Sequence, residues 1–232
     1  TVTKTLHTDK GYEPDLNSFT IEPFPYYSPL KSQIETIKSF DRPVILVDDL
    51  VHTANRLQVL VPQLREDGIP IKKVVVGVLS GYGRDLMQCL KVPVESIYSM
   101  PNLRQWFVES TLYPFIGGDT VRREEMKVAG LQPSINMILP YATPRLSGCS
   151  REALVEFSAC CIENSRDLFQ VLEAEYRKMY AKNLTLSRLS EAVILPLCPD
   201  KGSCMEYDEN LAASVYLEND LETLWRMKEF LI

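Results

Sequence analysis

The sequence predicts an α/β fold, a parallel sheet with flanking helices, followed by a mostly helical C-terminal portion. Three observations carry that expectation. Two β-branched runs, Val44–Val47 and Ile71–Leu79, are too short for helices and too apolar for surface strands. Segments of helical period follow each of them, which at this spacing means βαβ units with helices on both faces of the sheet. From Ser150 to about Lys182 the apolar residues keep helical period throughout, so the last third of the chain is helical.

The elements follow in chain order. Residues 1–30 are rich in proline, aromatics and polar groups, and Pro23, Pro25 and Pro29 exclude a regular element there, so an irregular arm is expected. Tyr26 and Tyr27 lie on it as surface aromatics or as a base-stacking lid. Residues 31–148 form the α/β domain. A short helix, Ser28 to Phe40, presents Leu30, Ile34 and Ile37 on one face. The first strand ends near Asp48 and Asp49, and a helix from Asn55 to Asp67 follows, with Pro62 inside it and Gly68 as its stop. The second strand exits through Ser80-Gly-Tyr-Gly-Arg84, read as a strand-to-helix turn, and the next helix runs to Leu90. Pro93–Ser99 is a third strand candidate. Residues 101–148 read as irregular, with Trp106 as core, Gly117-Gly118-Asp119 as a loose phosphate-nest likeness, and Ile135–Leu139 as a strand. The portion 149–232 is helical. Its long helix carries the stripe Leu154, Phe157, Cys161, Leu168, Leu172, Tyr176 and Met179, expected to pack on the chain itself or on a symmetric partner in a homodimer. Helices over Leu186–Leu195 and Asn219–Leu231 follow, joined by a polar connection from Pro196 to Asp208.

Bulk properties narrow the function classes. A net charge of −6 with no basic block argues against a nucleic-acid partner. Six cysteines without a CxxC pair, beside two histidines, offer no Cys/His metal site and read as buried thiols of a reducing compartment. No apolar run reaches membrane-spanning length, so no membrane partner is expected and the expected localisation is cytoplasmic.

The densest chemistry lies in Val47-Asp48-Asp49-Leu50-Val51-His52-Thr53-Ala54-Asn55-Arg56. A buried strand, two acids, a hydroxyl and a helix start read as a sugar-phosphate or nucleotide site, in which helix N–H groups receive the phosphate and the acids hold sugar hydroxyls or Mg²⁺, or else as two solvated carboxylates ending a strand. Mg²⁺ keeps most of its waters, so one or two carboxylates plus substrate oxygens suffice. His52 is a general base near neutral pH or a space-filling loop residue paired with Asp49. Arg56 is a phosphate contact or an ordinary surface charge.

This stretch resembles the phosphoribosyl diphosphate (PRPP) signature of type I phosphoribosyltransferases: an apolar strand, two acids, two apolar residues, a variable position, Thr-Gly and a second small hydroxyl residue. The resemblance implies that Asp48 and Asp49 engage the ribose hydroxyls and Mg²⁺, that Thr53, Ala54, Asn55 and Arg56 form the 5′-phosphate loop, and that His52 stands where some members handle the base's proton. The chain departs from the signature at Ala54, where the family has Gly, and at Arg56, where it has Thr or Ser. Only 42 residues precede the strand run that opens at Pro43, where the family usually carries a pyrophosphate loop and a mobile catalytic loop. Either this is a C-terminal piece of a longer protein or its design lacks those loops. The implied activity is transfer of phosphoribosyl to a nitrogenous acceptor. Two alternatives stand beside it: a catalytically inactive PRPP- or nucleotide-sensing module, and a helical dimerising interaction protein.

Overall fold

A computed structural model describes residues 2–13, 17–121, 132–144, 146, 148–189, 194–196 and 207–229. The chain divides into two compact units, Thr1–Asp9 with Ile21–Trp106, and Lys10–Thr20 with Phe107–Ile232. Segment 107–148 therefore groups with the C-terminal helices. The N-terminal arm is not irregular throughout, since Thr8–Tyr12 (β1) and Phe19–Pro23 (β2) are strands. Strand β2 stops at Pro23, the first of the clustered prolines, whose rings deny the ladder its donors.

The first unit is the predicted βαβαβ core. After helix α1 (Leu30–Lys38) come β3 (Val44–Val51), α2 (Asn55–Glu66), β4 (Ile71–Ser80), α3 (Gly81–Cys89) and β5 (Val94–Met100). The sheet runs β3-β4-β5 and every pairing is parallel, with Val47 opposite Val75 and Val76 opposite Ser96. Helix α2 ends as predicted: Gly68 takes φ 75°, its N–H donates to Arg65 O at 2.9 Å, and Ile69 N–H donates to Leu64 O at 2.9 Å.

Helices do not cover both faces of this sheet. Leu57 and Val61 of α2 and Met87 of α3 share one buried cluster with Val74 and Val76. Ile34 and Ile37 of α1 join Leu60 and Leu64 of α2 beside the partly buried Leu46. On the opposite face Val47 is 77% and Ile97 75% exposed. The reason is topological. Successive crossovers of one hand, stepping in one direction from β3 to β4 to β5, stack their helices on a single face, and only a reversal of strand order covers the other.

A five-stranded sheet has the order β2-β1-β6-β7-β8, with β6 Asp119–Val121, β7 Gln132–Ile135 and β8 Ile194–Pro196 in the second unit together with Lys10–Tyr12 of β1 and Phe19–Thr20 of β2. Two expectations change here. Of the run Ile135–Leu139 only Ile135 lies in a strand. The helix expected over Leu186–Leu195 is one turn, α5 (Leu186–Leu189), and Ile194–Pro196 pairs parallel with Gln132–Ser134 instead. A short apolar run does not distinguish helix from strand until a neighbour offers a ladder.

The long helix is present as α4 (Arg151–Tyr180), capped by Ser150, whose Oγ accepts from Ala153 N–H at 3.1 Å. The last helix, α6, spans Ala213–Glu229, with Ala213, Leu217, Leu221 and Leu224 buried along one side. The two run antiparallel: Glu156 reaches Lys228, Gln170 reaches Glu218, and Glu173 reaches Ser214. The buried stripe of α4 is Leu154, Val155, Ser158, Ala159, Cys161, Ile162, Ser165 and Phe169. Of the predicted stripe Leu154 and Cys161 are buried, whereas Leu168 and Leu172 are 45% and 44% exposed, and Phe157 and Met179 are exposed too. The small residues Ser158, Ala159 and Ser165 face inward, which lets neighbouring elements approach closely.

Among the described cysteines Cys161 is buried and Cys89, Cys149 and Cys160 are exposed, so the expectation of buried thiols holds at one position. Cys198 and Cys204 lie outside the described residues, as do positions 197–206 of the expected connection and the expected helix end at Leu231. Among the described residues no helix is long and apolar enough to cross a membrane.

Candidate functional site

The carboxylates do not end strand β3; they lie inside it, since its pairing continues to Val51 opposite Leu79. Neighbouring strand residues point to opposite faces, yet Asp48 and Asp49 stay in contact, Asp48 Oδ1 accepting from Asp49 N–H at 3.1 Å. Asp48 is partly buried, on the face the helices cover, and Arg56 Nη1 sits 3.5 Å from both of its oxygens. Asp49 is exposed on the open face, and its Oδ1 accepts from Leu50 N–H at 2.7 Å. Among the described residues no three His, Cys, Asp or Glu gather as a metal-ligand group. A cation here has single carboxylates to use, with Asp49 the accessible one.

Burial pushes the Asp48 carboxyl above its ordinary value of 3.8, the Arg56 guanidinium pulls it back, and the neighbouring Asp49 raises it. A carboxyl whose folded pKa exceeds its unfolded one holds its proton more tightly in the fold. Its contribution to stability is full below the unfolded value and is lost as pH rises through the folded one. Asp48→Asn is therefore expected to be more stable than the wild type at neutral pH, with the gap closing as pH falls toward 3.8. Urea denaturation at stepped pH measures this; a gap that does not change with pH removes the burial argument.

Helix α2 starts without a side-chain cap and without an acidic residue in its first turn. Its N-cap residue, Ala54, takes the left-handed conformation, φ 51° and ψ 21°. The first-turn N–H groups are therefore left without a capping side chain where the helix's partial positive charge collects. Thr53 stands beside them: its Oγ1 accepts from Asn55 Nδ2 at 3.0 Å and its carbonyl accepts from Gln58 Nε2 at 2.9 Å. The Thr53 hydroxyl keeps its own proton to donate. Thus Thr53, Ala54, Asn55 and Arg56 do come together at one helix start.

His52 pairs with Ser80, not with Asp49: Nδ1 lies 3.0 Å from Ser80 Oγ. That oxygen also accepts from Gly83 N–H at 2.9 Å, so Ser80 caps α3 from a buried position. The imidazole is a brace between the β3 and β4 exits, with Tyr82 edge-on at 6.5 Å between ring centres. Ser80-Gly-Tyr-Gly-Arg84, read from the sequence as a strand-to-helix turn, contains no separate turn: Ser80 ends β4 and caps α3, and Gly81 to Arg84 form the first turn of that helix. A Cβ on Gly117 would strike the Ser110 carbonyl, so that glycine serves close packing. Its neighbour Asp119 is buried and pairs with Lys10 at 3.6 Å. Trp106 is exposed, contrary to the core expectation, and Tyr27 stacks on His7 at 3.8 Å.

Compared with known protein families, curated proteins and solved structures, the chain has no match.

Proposed function

We propose that the first unit binds a 5-phosphorylated ribose of the PRPP type at the loop between β3 and α2, with Mg²⁺, on a fold of type I phosphoribosyltransferase kind. The observation that carries this reading is the uncapped start of α2 beside the Thr53 hydroxyl, with the Arg56 guanidinium held by Asp48. An anion there completes the orphan N–H groups, the Thr53 donor and the helix charge together. Asp49, open to solvent, serves a ribose hydroxyl or hydrated Mg²⁺, and the metal offsets repulsion between phosphate and carboxylates. Two observations favour a binding module over a transferase: the His52 ring nitrogen is already engaged by Ser80, and Ala54 puts a Cβ into the phosphate loop.

Calorimetry with PRPP, with and without Mg²⁺, tests the reading on wild type, Asp49→Asn and Thr53→Ala. Losing one charged or hydroxyl contact costs about tenfold or more in affinity, and chelating Mg²⁺ weakens binding. Equal binding by all three proteins, or none at millimolar ligand, makes the loop a turn only. Pyrophosphate release with a panel of nitrogenous bases separates transferase from binding module.

A further inference from the structure

The second unit carries an open polar pocket on its surface where α4 ends, and all of its lining residues except Thr185 are exposed. Its volume is about 450 Å³, and Arg177, Lys182 and Arg188 line it with Asn183, Thr185 and Ser187. No Asp or Glu is among the lining residues, although the chain carries 31 acids against 25 Lys and Arg. Arg177 and Lys182 have no ion-pair partner among the described residues. Three cations kept together without a carboxylate in a net-acidic chain repel one another, which an anion relieves.

Local sequence builds the wall. In Asn183-Leu184-Thr185-Leu186-Ser187 polar and apolar residues alternate, and Leu184 and Leu186 are buried, so the polar residues line the cavity. The Arg188 guanidinium is fixed by its Nη1 bond to Asn183 O at 2.9 Å, and its remaining donors are left for a ligand. Thr185 and Ser187 hydroxyls lie 3.0 Å apart, and their mutual bond uses one of two protons, leaving the other to donate. Asn210 completes the lining; its amide Nδ2 and its backbone N–H both donate to Asp208 Oδ1, at 3.0 and 2.9 Å, which places one carboxylate beside the pocket though not in its wall. Arg177 and Lys178 stand in the last turn of α4, where cations meet the negative helix end, and Lys178 also pairs with Glu175 at 3.5 Å.

We infer that this cavity binds a small molecule bearing two or more phosphate groups, held by Arg177, Lys182 and Arg188 with the Thr185 and Ser187 hydroxyls. The donors are cationic forks and hydroxyls, the set that recognises phosphate oxygens. Nothing in the site calls for a metal. It lies in a different unit from the β3–α2 loop, and neither reading depends on the other.

The test is calorimetry of the full chain with inorganic tripolyphosphate and chelator, so that any Mg²⁺-dependent binding at the β3–α2 loop is silent. Wild type is expected to bind in the submillimolar range, more weakly as salt is raised. Arg177→Gln and Arg188→Gln are each expected to lose about tenfold, whereas Arg56→Gln and Thr53→Ala bind as wild type does. No binding at millimolar tripolyphosphate overturns the inference, as does wild-type affinity in both arginine variants. Loss in Arg56→Gln alone would assign the anion to the other unit. Sedimentation with phosphatidic-acid vesicles separates a lipid headgroup from a free ligand; vesicle binding without tripolyphosphate binding also overturns it.

Discussion

Ile162→Ala and Leu217→Ala are each expected to destabilise the second unit by about 2–5 kcal/mol, the range for deleting buried aliphatic side chains where packing cannot collapse. Both side chains are fully buried, in a cluster that joins α4, α6 and the aromatic group Phe115, Phe169 and Tyr207. Leu168→Ala and Leu172→Ala, on the same helix at 45% and 44% exposure, are expected to cost less than about 1 kcal/mol. The four variants together form a chemical-denaturation series on one element. Should Leu168 or Leu172 prove as costly as Ile162, the outer face of α4 is covered in solution, and the cost would then depend on protein concentration.

Gly83→Ala is expected to destabilise the first unit by about 1–3 kcal/mol or more, as an overpacked substitution against a backbone that cannot yield. A Cβ at Gly83 would collide with the Val51 carbonyl and come within 2.9 Å of Val51 Cγ1. Val51 cannot retreat, because it is paired with Leu79 at the last rung of the β3–β4 ladder. The neighbouring Tyr82→Ala, at an exposed ring, serves as the control and is expected to stay within about 0.5 kcal/mol. A Gly83→Ala protein as stable as wild type would mean that α3 can shift away from β3 without cost. The same substitution reports on His52, since Gly83 N–H and His52 share Ser80 Oγ.

What the sequence determined by itself is the local grammar of the first unit and the existence of the long helix. Val44–Val47 and Ile71–Leu79 are strands because β-branched runs of that length have no helical face to bury. Gly68 stops α2 and Ser150 starts α4 because capping is satisfied within a few residues of chain. The start of α2 was legible for the same reason, since Thr53 to Arg56 are consecutive, whereas the acids expected beside it at a strand end lie inside β3.

Only the tertiary structure decided which way side chains face. The period of α4 was readable, but its phase was not: the inward stripe is set by which residues let α6 and the sheet approach, and there Ser158 and Ala159 outcompete the larger Phe157 and Leu168. Asp48 and Asp49 are adjacent in sequence yet divided by the pleat, one held by Arg56 and one left to solvent. His52 found Ser80 across 28 residues because β3 and β4 pair in parallel register, a contact no spacing announces. The open face of β3-β4-β5 follows from strand order, and the cationic cavity from a helix end meeting the turn before α5. Local propensity acts within a few residues, whereas burial is settled by the whole set of packed neighbours.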